Sequence, residues 1–184
     1  MGYKVGSLAS LPIINGGMLY VFVLGNIHWK GGGIEKIAQN FDLRAKELGP
    51  RGAIVMGHEG VDLSYELIQA MYDNGPDGIQ EMIHDGNRHG GALLITNKYP
   101  TEIEKTDPVL FAPIDQLEKR AGGIDRFFNE LCEYARKPNE DFIRLFSIQQ
   151  KGFFGRLLKV VDLKPNIAGI GLNLNALLED DNFH

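Results

Sequence analysis

The sequence predicts an α/β fold: a small three-layer arrangement in which a mostly parallel sheet of about four strands, with a further edge strand near the C-terminus, is flanked by helices. Short apolar runs recur at 18–24, 52–57, 91–96 and 108–114, and runs apolar on both alternating faces suit strands covered from both sides. Helical stripes fall between the first three of them, and strands alternating with helices pair in parallel through crossovers. From Asp115 onward the pattern is mainly helical, which assigns the last third of the chain to the helical layers.

Residues 1–17 mix Gly, Ser and Pro and read as a flexible N-terminal arm, with residues 18–184 as one α/β domain. The run "MLYVFVL" is rich in β-branched and aromatic residues and reads as a central strand. After a glycine turn, Ile34, Ile37, Ala38, Phe41, Ala45 and Leu48 form one helical stripe that Gly49 and Pro50 end. "GAIVMG" at 52–57 is the second strand, followed by a helix with Leu63, Leu67, Ile68, Met71 and Tyr72 on its apolar side. "NGP" at 74–76 breaks that helix. Asp77 and Gln80 then have capping-box spacing, which predicts a short helix to about His84. "GALLIT" is the third strand, and "PVLFAPI" the fourth, with a proline at each end.

Further on, Ile124, Phe127, Phe128, Leu131 and Ala135 make one helical stripe, and Phe142, Ile143, Leu145 and Phe146 another, with Asn139 placed to cap it. "GFFGRLLKVV" fits a helix or a bent strand. In "GIGLNLN" Ile170, Leu172 and Leu174 alternate with Gly and Asn. That period of two marks an edge strand, through which an oligomer could form.

A chain of 184 residues with 43% apolar and 23% charged residues suits a globular protein and excludes bulk disorder. The net charge of −5, with scattered Lys and Arg, gives no indication of nucleic-acid binding or of attraction to an anionic membrane. The longest apolar stretch, Met18 to Leu24, is far shorter than a membrane span. "MGYKVGSLAS" lacks the features of a secretory signal, Gly6 stands where a myristoylation site needs Ser or Thr, and Cys132 has no second cysteine to pair with. A cytoplasmic location is the expectation.

The first strand runs into "GNIHWKGGGIEK" at 25–36. In a parallel sheet, ligands bind beyond the carboxyl ends of strands, where helix N-termini attract anions. Gly31, Gly32 and Gly33 would let backbone approach a phosphate or carboxylate, Lys30 would add charge, and Trp29 could stack on a base or sugar or anchor a partner protein. The spacing matches neither the P-loop, in which Lys follows the glycines, nor the dinucleotide fingerprint; Glu35 in the first turn would repel an anion, and a tight turn uses the same glycines.

The second strand ends in "GHEGVD", which places His58 and Glu59 at the same rim as His28 if the two strands run parallel. Two imidazoles and a carboxylate could bind a metal or supply a base near neutral pH; as loop residues, they could equally donate to backbone carbonyls. His84, Asp85 and His89 precede the third strand, and a parallel sheet would put them at the opposite rim. Cys132 lies on an apolar helix face beside Phe128 and Ala135 and reads as core. No serine sits in a nucleophile elbow.

The expectation is therefore a ligand- or partner-binding α/β module with an anion or phosphate site at the first strand–helix turn, involving Trp29, Lys30, Gly31, Gly32 and Gly33. The first alternative is a hydrolase or transferase of a phosphate-containing substrate using His28, His58 and Glu59. The second is a non-catalytic assembly domain. The sequence specifies no cofactor.

Overall fold

The computed structural model of the chain describes residues 1–13, 19–25, 32–107, 109–120 and 122–137. Five strands form one sheet: β1 (Gly2–Val5), β2 (Leu19–Leu24), β3 (Gly52–Gly57), β4 (Ala92–Thr96) and β5 (Val109–Pro113), in the order β1-β3-β2-β4-β5. Helices α1 (Gly33–Gln39) and α2 (Phe41–Leu48) lead from β2 to β3, and α3 (Ser64–Ala70) and α4 (Ile79–Arg88) from β3 to β4. Helices α5 (Ile114–Arg120) and α6 (Ile124–Arg136) follow β5.

Alternation along β2 sorts its side chains between two cores. Leu19, Val21 and Val23, with Ile54, Met56, Leu93 and Ile95, pack against Ile34, Phe41, Leu117, Phe127 and Leu131 of α1, α2, α5 and α6. Tyr20, Phe22 and Leu24, with Val55, Leu94 and Phe111, pack against Leu67 of α3, Met71 just beyond it, and Met82 and Ile83 of α4. Both faces of the sheet are covered, and all six β2 residues are buried. This is the three-layer α/β architecture that the apolar runs imply.

The sheet is mixed, which corrects the expectation of mostly parallel pairing. β3 pairs in parallel with β1 and β2, but β4 is antiparallel to both β2 and β5. The connection from β3 to β4 contains two helices. One carries the chain away from the rim where β3 ends, and the other returns it there, so β4 starts at that rim and runs back.

The first residues form structure where the sequence suggested a flexible arm. Gly2–Val5 pair with Ile54–Gly57 of β3, and Val5, Leu8 and Leu11 enter the core beside α3 and α4. The Ser7 hydroxyl and the Leu8 N–H both donate to the Glu66 carboxylate at 2.7 Å, and the Tyr99 hydroxyl donates to the Leu8 carbonyl at 2.8 Å. Apolar residues spaced along this segment bury it against α3, a pattern hidden in the sequence by the intervening Gly and Ser.

Three helix details also differ. The stripe from Ile34 to Leu48 is divided at Asn40, which has φ −105° and ψ 17° and whose side-chain amide donates to the Lys36 carbonyl at 3.0 Å; a short polar side chain competing for helix carbonyls breaks the helix there. The Asp77–Gln80 capping box does not form, because the N-cap of α4 is Gly78 in the left-handed region, φ 78°. α4 also continues past His84 to Arg88. Gly86 allows this: a Cβ there would lie 2.7 Å from the Phe111 ring and 2.9 Å from the Ala92 Cβ.

The expected Asn139 cap, the stripe at 142–146, the segment at 152–161, the edge strand at 170–174 and the final helix lie outside the described residues. Among the described residues, no helix is long and apolar enough to cross a membrane.

Candidate functional site

β2 and β3 are adjacent and parallel, so the connections that begin at Gly25 and His58 leave the sheet at one rim. The antiparallel β4 adds a third. Ala92, its first residue, pairs with Leu24, the last of β2, so the connection carrying His89, Gly90 and Gly91 reaches the same rim. This corrects the placement of His84, Asp85 and His89 at the opposite rim, which assumed a parallel β4.

Close backbone packing joins these connections. Gly25 and Gly91 have φ 112° and 99°, and a Cβ on Gly25 would lie 2.7 Å from Ile34 Cδ1 and 3.0 Å from Gly91 Cα. A Cβ on Gly91 would lie 2.5 Å from the Leu24 carbonyl oxygen. Only glycine fits this crossing in both conformation and space.

Asp62 forms the polar centre of the described rim. Its Oδ1 accepts the Gly25 N–H at 3.3 Å, the Ser64 N–H at 2.9 Å and the Ser64 hydroxyl at 2.5 Å. Its Oδ2 accepts from the Asn87 amide at 3.3 Å, and that amide also donates to Ser64 Oγ at 3.1 Å. One carboxylate thus ties the end of β2, the start of α3 and the last turn of α4 together. It stands just before Leu63, the N-cap of α3, and occupies the N–H groups of Gly25 and Ser64, so neither is open to an anion. The sequence reading missed Asp62, Ser64 and Asn87. The first two carry a legible signal, an Asp whose side chain can accept the N–H two residues on; Asn87 carries none.

His58 and Glu59 occupy a single turn, His58–Gly60, directly after β3. Glu59 adopts φ 51° and ψ 35°, the one non-glycine residue with positive φ among the described residues. The two side chains are 55% and 85% exposed and stand 3.9 Å apart at His58 Nδ1 and Glu59 Oε2. The turn is tightly closed, because a Cβ on Gly57 would fall 1.7 Å from the Val61 carbonyl oxygen.

At the adjoining connection, Gly32 is the N-cap of α1, in extended backbone, and Gly33 is its first residue, with Glu35 in the first turn. His28, Trp29, Lys30 and Gly31 lie outside the described residues. Their connection begins at Gly25 on the rim and enters α1 at Gly32. Among the described residues, no three His, Cys, Asp or Glu side chains converge in a way that could hold a metal ion.

Cys132 is buried in the core on the side of the sheet where α6 packs against α2. Burial, reinforced by the nearby Glu47 carboxylate, pushes its thiol pKa up, the reverse of what a nucleophilic thiolate requires.

No protein-family model, curated protein or solved structure matches this chain.

Proposed function

We propose that the protein is a ligand-binding α/β module whose site is the rim where β2 and β3 end and β4 begins, and that it takes a small anion, in particular a phosphate group. The observation that carries this reading is the convergence of three connections at one rim, two of them bearing His58 and His89 and the third bearing His28 and Lys30 in its sequence. Lys30 supplies charge, Gly31, Gly32 and Gly33 allow close backbone approach, and Trp29 covers the ligand's remaining apolar or ring surface. Because Asp62 engages the Gly25 and Ser64 amides, charge recognition falls to Lys30, with the imidazoles as hydrogen-bonding groups.

The test is thermal unfolding across a panel of phosphate, phosphate monoesters and nucleotides. A ligand bound only by the folded state stabilises it by about 2.7 kcal/mol at about a hundred times its Kd, several degrees for a chain of this size. Lys30→Ala and His58→Ala should each reduce the shift. A panel that leaves the midpoint unmoved overturns the reading.

One observation favours a catalytic variant of this proposal. A non-glycine residue held in the left-handed region at an exposed strand end, as Glu59 is, is the kind of backbone strain that gathers at reacting sites. In that variant His58, or His28, acts as a general base on a phosphate-containing substrate, with Glu59 orienting the imidazole of His58. Hydrolysis of a chromogenic phosphate monoester that vanishes in His58→Ala, with the fold retained, would establish it. Binding without turnover would leave the non-catalytic module.

A further inference from the structure

We infer that a second surface, independent of the anion-binding reading, docks a lysine- or arginine-bearing segment of another protein. It lies at the opposite rim, where β4 ends beside the start of β2. A cationic head enters a cleft between Asn74 and the 101–106 connection, and the rest of the segment runs along Tyr72 and Tyr65. Residues 58–107 hold ten Asp and Glu against three Lys and Arg, a net charge of −7 in a chain whose total is −5. Two of those three cations are already paired, Lys98 with Asp107 at 2.8 Å and Lys105 with Asp77 at 3.5 Å. Asp62 and Glu66 are engaged too, with the Gly25 and Ser64 amides and with Ser7 and Leu8. Asp73, Glu81, Glu102 and Glu104 are exposed, and among the described residues no cation stands within ion-pair distance of them.

The cleft has a volume of about 450 Å³ and is lined by Asn74 and by Thr101 to Thr106. Ile103 is buried in the core under α3 and α4, and the Lys105–Asp77 pair ties the connection to the turn before α4, so both walls are anchored. The Lys98 ammonium, hydrogen-bonded to Asp107 and close to Glu104 and Glu102, has its pKa raised; this wall favours positive charge. Tyr65 lies on α3 and Tyr72 in the turn that continues it, where the Met71 and Tyr72 amides still donate back to Leu67 and Gln69. Their seven-residue spacing therefore keeps both rings on one side, about 10 Å apart along the axis. They are 70% and 64% exposed, whereas Leu67, Ile68 and Met71 between them are buried. Exposed aromatic rings of this kind anchor partners, and they attract a guanidinium or ammonium while packing its aliphatic stem. Tyr72 stands two residues before Asn74, so the aromatic stripe leads into the cleft. Length and sign select the occupant. A small cation in the cleft would not reach Tyr65, and a second copy of so acidic a face, a nucleic acid or an anionic membrane would be repelled. A cationic polypeptide segment satisfies both the carboxylates and the rings.

The test is fluorescence anisotropy on the full chain with a short labelled peptide of alternating arginine and leucine. The comparison is the same peptide with citrulline, an uncharged isostere, in place of arginine. The arginine peptide should bind at low salt and weaken as salt is raised, and the citrulline peptide should bind about tenfold more weakly. Amide shifts should fall at Tyr65, Tyr72, Asn74 and Thr101 to Thr106. Tyr72→Ala should weaken binding about threefold, and Glu102→Gln combined with Glu104→Gln about fivefold, with the unfolding midpoint unchanged because these side chains are exposed. Glu133→Gln, at an exposed carboxylate of α6 on the other side of the sheet, should bind as the unaltered protein does. Equal binding of the two peptides, amide shifts confined to other regions, or an equal loss in Glu133→Gln would overturn the proposal. Spermine that moves the same amides and binds as tightly as the peptide would overturn it in favour of a small polycation. A concentration-dependent dimer abolished by Tyr72→Ala would overturn it in favour of a second copy.

Discussion

A Cβ built on Gly57 would sit 1.7 Å from the Val61 carbonyl oxygen, an atom of the backbone with no rotamer to yield. Gly57→Ala must therefore open the His58–Gly60 turn, and an overpacked position of this kind costs about 1–3 kcal/mol, read as a lower urea midpoint. Asp62 tests the rim differently. It accepts the N–H and hydroxyl of Ser64 at the start of α3 and holds the Gly25 amide and Asn87, so Asp62→Ala, which leaves these part-buried donors without their acceptor, should lose about 1–3 kcal/mol. Asp62→Asn should lose less, since its side-chain oxygen can still accept. Cys132 supplies a pH dependence. Its pKa is raised above the ordinary 9.0, so below that value the thiol is protonated in folded and unfolded chains alike. As the pH climbs past it, the unfolded chain releases the proton first and stability falls until the folded pKa is passed. A Cys132→Ser chain should lose this alkaline component of its unfolding profile, and in the unaltered protein a thiol reagent should label Cys132 only on unfolding.

At the scale of elements, four of the five strands are legible as apolar runs because each is buried on both faces. Strand direction is a different matter, since nothing in a run such as "ALLIT" states which way it points. The information lay in the break at Asn74–Pro76, which gives the β3–β4 connection two helices and returns the chain to its starting rim. β1 was hidden because Gly2–Val5 is short and its residues other than Val5 are not buried, and its pairing with β3 is a long-range fact. The candidate residues His58 and Glu59 were legible as strand-end residues. The arrival of His89 at the same rim was not, because it depends on the direction of β4. Gly86 hid the length of α4, since a glycine in a helical pattern argues locally for an end. Gly86→Ala would gain helix propensity worth at most about 1 kcal/mol. The added carbon meets the Phe111 ring at 2.7 Å and the Ala92 Cβ at 2.9 Å, and overpacking of this kind costs about 1–3 kcal/mol. The expected net outcome is a destabilised protein in which α4 has lifted from the sheet and the Asn87–Asp62 hydrogen bond is weakened, seen as a lower unfolding midpoint and faster amide exchange at Gly25.

Across the whole molecule, one sheet separates two apolar cores, and β2 contributes to both through alternate residues. Neither core can lose its helices without exposing strand residues whose neighbours on the same backbone belong to the other core, so the two layers should unfold together. Phe22 lies in the core under α3 and α4, and Phe127 in the core under α6; each is completely buried. Truncating either to Ala should cost about 3–5 kcal/mol. If the sheet couples the layers, both variants show one transition with an unchanged denaturant slope, because the surface exposed on unfolding is the same. The double variant should then lose close to the sum, since the sheet keeps the two rings from sharing packing partners. An α5–α6 layer that unfolds by itself would give a different result for Phe127→Ala alone: a second transition, or a shallower slope, with the β2 amides still protected from exchange. Coincident transitions followed by circular dichroism and by exchange at Val21 and Leu94 are the expected result. They would mean that the rim carrying His58, Asp62 and His89 persists only while the entire sheet is folded, so a ligand bound there stabilises both layers at once.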